Sequence, residues 1–268
     1  MMSSMPTASV PGPAQSFRPI QVDLLPARIY PRAAEMMDAA AALAAGQLRA
    51  AIRDNGKAAA IMATGNTQLV FLEKLAQEPG IDWGRVTLFH MDEYLGIAAG
   101  HPSSFRRYLR EKVEAKVKPG AFHYLAGDAL EPILECDRYA ELLRRQPIDL
   151  CMAGVGENGH IAFNDPAVAN FNDPYPVKLV KLDEVSRLQQ VKQGHFRSID
   201  EMPQYAFTLT IPTLCASRMI LCLSTEGRKA AIVAKMLRGP ISAACPASVL
   251  RQTKDALFLM DEDSASML

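Results

Sequence analysis

Apolar residues along the chain follow two different periods. Helical spacing, with apolar side chains every three or four positions, runs through roughly 31–54, 67–77, 103–117, 131–145 and 226–238. Between these stretches lie short apolar runs: AAAIMA (58–63), VTLFHM (86–91), DLCMAGV (149–155), YAFTLTI (205–211), MILCLS (219–224) and ALFLMD (256–261). They are apolar almost throughout, as expected of strands covered on both faces. Strands separated by helices predict βαβ units. The expected fold class is α/β, a single-domain three-layer sandwich around a mostly parallel, doubly wound sheet.

Pro79-Gly80, Pro119-Gly120 and Gly239-Pro240 read as turns rather than domain borders. There is no internal repeat and no long linker. The start, MMSSMPTASVPGPAQSF, lacks a basic segment followed by an apolar one, so it does not read as a signal peptide. Its Pro, Ser and Ala content predicts a disordered leader over 1–18, with one domain over 19–268. Residues 165–200 are the least regular part and are expected to form a lid or an excursion from the sheet.

Composition narrows the function classes. The 268 residues are 49% hydrophobic, ample for a sizeable core. Lys+Arg and Asp+Glu both number 29, so the net charge is zero. Neither nucleic acid nor an anionic membrane is expected as the main partner, although local basic clusters can still hold a small anion. No apolar run is long enough to cross a bilayer. The five cysteines, Cys136, Cys151, Cys215, Cys222 and Cys245, show no C-x-x-C spacing. They read as free thiols in a reducing, cytoplasmic setting, with no metal site.

In open parallel sheets, ligands bind beyond the carboxyl ends of the strands. Three strand ends here are polar: Thr64-Gly65-Asn66-Thr67, His90-Met91-Asp92-Glu93-Tyr94, and AGVGENGHIAFNDP (153–166). The last contains Gly154, Gly156 and Gly159 in G-x-G-x-x-G spacing. A dinucleotide-binding turn needs a long helix after its third glycine. HIAFNDP leaves no room for one, so the glycines read as a tight turn instead. A lone histidine is more often structural. His160, however, lies between Asn158 and Asp165 after a buried strand, where a carboxylate can orient an imidazole for proton transfer. Asp92 or Glu93 is a candidate general base, or else a simple helix cap. Thr64–Thr67 precede a helix and can bind one phosphate monoester or merely cap that helix. Lys229 is a candidate counter-charge, or a solvated helix residue.

Met91-Asp92-Glu93-Tyr94-Leu95-Gly96, His101-Pro102-Ser103-Ser104, Gly154–Pro166 and Thr64–Thr67 together resemble the glucosamine-6-phosphate deaminase (isomerase) family. Weaker matches are Gln204–Thr208 and Lys229-Ala230, and the similarity spans roughly 25–261. The wider superfamily includes 6-phosphogluconolactonases, but Tyr94 and the IAFN run favour the deaminase branch. The resemblance implies a Rossmann-like sheet, a sugar-phosphate substrate, no cofactor, and conversion of an amino-sugar 6-phosphate to a ketose 6-phosphate and ammonia. By resemblance, Asp92 is the general base. His160, with Asn158 and Asp165, opens the sugar ring. Thr64, Gly65, Asn66, Thr67 and Lys229 hold the phosphate, and Lys192 falls near a phosphate-binding arginine of the family.

Some residues depart from the family pattern. Asp165 stands where the family usually has glutamate, so the reach of its carboxylate to His160 becomes the critical distance. Asn158 stands where some members have aspartate, and Asn66 replaces a common glycine. The chain stops soon after ALFLMD, without the C-terminal extension of the hexameric, allosteric members. The resemblance therefore carries neither a hexamer nor activation by an N-acetylated sugar phosphate, while a homo-oligomer is left open. The competing readings are a lactonase on the same fold and a sugar-phosphate sensor without catalysis.

Overall fold

The computed structural model describes residues 17–192 and 194–268. Residues 1–16 of the expected leader lie outside them, and Arg18 already opens the first strand. The chain begins with β1 (Arg18–Val22), β2 (Leu25–Tyr30), α1 (Ala33–Asn55), β3 (Ala58–Met62) and α2 (Asn66–Leu75). It continues through β4 (Val86–His90), β5 (Asp92–Tyr94), α3 (Phe105–Leu109), a π-helical turn (Arg110–Glu114), α4 (Ala115–Val117) and β6 (Ala121–His123). Then follow α5 (Pro132–Arg144), β7 (Leu150–Gly154), β8 (Val177–Lys181), α6 (Glu184–Lys192) and β9 (Tyr205–Leu209). The last elements are α7 (Ile211–Cys215), β10 (Ile220–Ser224), α8 (Ala230–Arg238) and β11 (Ala256–Asp261).

Eight strands form one sheet in the order β1-β2-β11-β10-β7-β3-β4-β6. The β1–β2 hairpin is antiparallel and every other pairing in this sheet is parallel. The alternation of side chains splits each central strand between two cores. Ala59, Ile61, Phe89, Cys151, Ala153, Cys222 and Phe258 enter one core, together with α5, α7 and α8. Ala58, Ala60, Met62, Leu88, Met152, Leu221 and Leu259 enter the other, under α1 and α2. The mostly parallel three-layer α/β sandwich is thus the observed architecture. The small buried face of α1 (Ala40, Ala41, Ala44, Ala45) sits over this alanine-rich part of the sheet.

The run YAFTLTI is a strand, but not of this sheet. β9 is the centre of a separate antiparallel sheet, β5-β9-β8. Phe207 and Leu209 face the main core, while Ala206 faces an aromatic cluster built on Tyr94, Phe163 and Phe196. A strand buried on both sides looks the same in sequence whichever sheet it joins. Residues 165–200, expected to be irregular, supply β8 to this small sheet and then α6.

The chain path creates the cleft. From β3 it moves outward to β4 and β6, then returns to β7 on the other side of β3 and continues to β10 and β11. The reversal lies between β3 and β7, the switch point where open sheets bind ligands. At Met91 the chain changes sheets. Its N–H donates to Met62 O of β3 (3.2 Å), and its carbonyl accepts from Leu209 N of β9 (2.8 Å). Asp92 is the next residue, pinned at that junction.

Candidate active site

The carboxyl ends of β3, β4, β7 and β10 surround an open cleft. One end is suited to an anion. α2 begins directly after Gly65, whose φ of 112° and ψ of 168° form a conformation open to glycine and strained for other residues. Among the described residues no side chain caps this helix, so the amides of its first turn face the cleft uncapped. Thr64, Gly65, Asn66 and Thr67 all line it, and Thr67 Oγ1 lies 2.9 Å from Thr225 Oγ1. Lys229 also lines the cleft; its Nζ donates to Val155 O at 2.7 Å. Burial lowers its pKa to about 8, with Arg228 adding repulsion. Arg228 borders the same space, paired with Glu157 and Glu226. Lys192 does not join this group: it ends α6, exposed, while Gln189 and Gln190 of that helix line the cleft. The helix passes the rim before it reaches Lys192.

Two adjacent carboxylates differ sharply. Glu93 is fully buried and accepts hydrogen bonds from Tyr94 N (3.0 Å), Ser104 Oγ (2.8 Å), Phe105 N (3.2 Å) and Arg106 N (2.9 Å). Burial pushes its pKa up, and these donors pull it back. It anchors the start of α3. Asp92 points the other way, into the cleft, and among the described residues its side chain accepts no hydrogen bond. Burial first, then repulsion by Glu93, raises the Asp92 carboxyl from 3.8 to about 8. His90 is structural: its Nε2 accepts from Leu125 N at 2.7 Å, and burial holds it neutral, with a pKa of about 3.

The loop after β7 presents His160. No helix follows Gly159; the chain instead makes a turn bridged by Ile161 and Asn164. The amide Nδ2 of Asn164 donates to Ile161 O and Leu209 O (both 2.9 Å), and Phe163 N donates to Thr208 Oγ1 (3.1 Å). These bonds tie the loop to β9. The glycines serve close approach rather than a pyrophosphate: a Cβ on Gly156 would sit 2.2 Å from His160 Nε2. Asp165 does reach the imidazole, with His160 Nδ1 2.9 Å from Asp165 Oδ1. The same oxygen accepts from Asn158 Nδ2 (2.9 Å) and Ser186 Oγ (2.6 Å), and Oδ2 accepts from Asp183 N (3.1 Å). Burial pushes the Asp165 carboxyl up, but the bonds from His160, Asn158 and Ser186 overrule it and hold it at about 2. An ionised Asp165 keeps the proton of a neutral His160 on Nδ1 and leaves Nε2 as an acceptor.

The sequence-predicted residues Thr64, Gly65, Asn66, Thr67, Asp92, His160 and Lys229 therefore line one cleft, with Asn158 and Asp165 directly behind His160. Sequence reasoning missed Thr225, Arg228, Ser186, Gln189 and Gln190. Thr225 and Arg228 follow a fourth strand end, MILCLS, and the strand-end rule applied there finds them. Ser186 lies in an ordinary helical stretch and carries no such signal.

The chain is similar to known proteins over most of its length. Residues 31–259 match the family described as glucosamine-6-phosphate isomerases/6-phosphogluconolactonase. A glucosamine-6-phosphate deaminase of Exiguobacterium sibiricum is 33% identical over 209 residues, 77% of this chain and 80% of its own. One from Arthrobacter sp. is 31% identical over 233 residues, 85% of this chain and 88% of its own. A solved monomeric glucosamine-6-phosphate deaminase superposes with a TM-score of 0.83 at 29% identity, covering 90% of this chain and 99% of that one. A 6-phosphogluconolactonase from Shewanella baltica shares the fold, with a TM-score of 0.73 at 20% identity, covering 88% and 96%. From its sequence and its fold alike, the chain belongs to the glucosamine-6-phosphate isomerase/6-phosphogluconolactonase family.

Proposed function

We propose that the cleft converts an amino-sugar 6-phosphate, glucosamine 6-phosphate in the first place, to fructose 6-phosphate and ammonia. The observation that carries this reading is Asp92: a buried, unpaired carboxylate raised to about 8, in the same cleft as an imidazole oriented by Asp165. A base that takes a proton from carbon needs such a partly desolvated carboxylate. The phosphate sits at the start of α2 between Thr67 and Lys229, which leaves the sugar ring toward Asp92 and His160. His160 Nε2 takes a proton from the O1 hydroxyl and returns one to the ring oxygen, opening the ring. Asp92 removes the proton from C2 and delivers it to C1, while O1 gains a proton and the amino group loses one, which leaves a hydroxyl on C1 and a C2=N bond. The resulting C2 imine adds water and releases ammonia. Electrons move only within the substrate, so the sequence of steps calls on no redox cofactor.

A phosphorylated substrate and five unpaired cysteines fit a reducing, cytoplasmic setting. Among the described residues, no helix is long and apolar enough to cross a membrane. The deciding experiment is ammonia release from glucosamine 6-phosphate and from its galactosamine isomer. We expect release from at least one. Hydrolysis of 6-phosphogluconolactone with no ammonia from either amino sugar would overturn the reading in favour of the lactonase branch.

A further inference from the structure

We propose that Ser186 is a positioning residue for His160: its hydroxyl closes a four-residue ring with Asn158, Asp165 and His160 that locks the imidazole proton on Nδ1. The proposal rests on the deaminase reading of the cleft, because it assigns Ser186 to the ring-opening step.

Ser186 is in the first turn of α6, 2% exposed, and 21 residues from Asp165 in the chain. Its Oγ lies 2.6 Å from Asp165 Oδ1, 3.2 Å from Asn158 Nδ2 and 3.2 Å from His160 Nδ1. Proton accounting allows one arrangement. Ionised Asp165 is an acceptor only, so the hydroxyl donates to it. The two lone pairs of Oγ then face the Asn158 amide and His160 Nδ1. Asn158 is itself oriented, since its Oδ1 accepts from His160 N at 3.1 Å, which turns Nδ2 toward Asp165 and Ser186. His160 Nδ1 thus faces two acceptors, Asp165 Oδ1 at 2.9 Å and Ser186 Oγ at 3.2 Å. A proton on Nδ1 satisfies both, and a proton on Nε2 would leave Nδ1 as a lone pair facing a carboxylate.

The arrangement also answers the substitution of aspartate for the family's usual glutamate. The shorter carboxylate has fewer torsions, and three donors converge on its single Oδ1. Ser186 is the donor at the shortest distance, and the only one contributed by α6. That helix also brings Gln189 and Gln190 to the cleft, so the hydroxyl couples the helix bordering the substrate to the proton-transferring pair.

The test compares Ser186→Ala with the parent protein by steady-state ammonia release and by nitrogen NMR of the histidine ring, with the signal assigned through His160→Gln. Loss of the hydroxyl is expected to lower kcat about tenfold, part of the 10²–10⁴ that a positioned acid–base group supplies. KM should stay within about twofold of the parent, because Ser186 does not touch the substrate. The Nε2–H tautomer of His160 should appear. Ser186→Thr and Ser186→Val, equal in shape and differing in the hydroxyl, form a second pair: only the threonine should keep the parental tautomer and kcat. A Ser186→Ala protein with parental kcat and a single Nδ1–H tautomer overturns the proposal. If the parent itself releases no ammonia, the deaminase reading fails, and the tautomer ratio still decides the role of Ser186.

Discussion

Asp92 and Asp165 are both buried aspartates at one cleft, and their surroundings push them in opposite directions. Asp92, at the junction of the two sheets, has no donor among the described residues and a carboxyl near 8. Asp165, behind the β7 loop, has four donors and a carboxyl near 2. Burial acts the same way on both; hydrogen bonding separates them. The contrast shows how one residue type can keep its proton near neutral pH in one setting and hold a fixed charge there in another. Glu93 makes the same point at closer range: adjacent to Asp92, it is consumed by the start of α3 and leaves its neighbour free.

The largest effect is expected from Asp92→Asn. Ammonia release should fall about 10²–10⁴-fold, while calorimetric binding of fructose 6-phosphate stays close to parental. The same variant tests the burial cost. Between pH 3.8 and about 8 the folded protein keeps a proton on Asp92 that the unfolded chain releases, so this group's contribution to stability declines as pH rises through that window. At pH 9 the asparagine variant should melt a few degrees higher than the parent, roughly what 1–2 kcal/mol produces at this size. A lower melting temperature would mean that Asp92 is not the desolvated carboxylate described.

Asp165→Asn attacks the other side of the comparison. With its pKa depressed to about 2, Asp165 adds stability that is fully present above 3.8 and lost as pH falls toward 2. The asparagine variant should be less stable at neutral pH by about 1.5–3 kcal/mol, the worth of a charged hydrogen bond. Its kcat should fall about 10²-fold, as the imidazole loses its orientation. Denaturant melts and initial rates check both. Gly156→Ala reaches the same pair sterically: the added methyl meets the His160 ring at 2.2 Å and must displace it. A shift on the order of 1 Å costs about 10²-fold in kcat, and parental kinetics here would mean that His160 need not hold this pose.

The smallest effects concern the anion end. Lys229→Gln should raise KM about tenfold with kcat little changed, since it removes a charged contact from the phosphate rather than from the reacting carbons. The pH dependence of kcat/KM should be a narrow bell centred near 8. It rises as Asp92 loses its proton and falls as Lys229, also near 8, loses its own. A plateau extending below pH 6 would separate Asp92 from the rate.

Much of this molecule was legible in advance where side-chain pattern follows directly from local geometry. The parallel strands β3, β4, β7, β10 and β11 were visible because burial on both faces makes them continuous apolar runs, and α1 and α5 because their buried faces repeat every three or four residues; the partly exposed β2 and the short β6 carry no such run. The site was half legible. Thr64–Thr67, Asp92 and His160 stand at strand ends, so topology alone points them to one edge. Lys192 was misplaced because resemblance supplies a position along a helix without saying where that helix leaves the rim.

By itself, the sequence determined the layered α/β class, the polar strand ends that border the cleft, and a G-x-G-x-x-G with no long helix directly after it. Periodicity, chain length and the Pro166 that follows are enough for those. Only the tertiary structure decided that β9 belongs to a second sheet, that Asp92 rather than Glu93 enters the cleft, that the shortened Asp165 reaches His160, and that Ser186 joins them. Each of these depends on ångström-scale contacts between segments far apart in the chain, and such distances have no periodic trace in the order of residues.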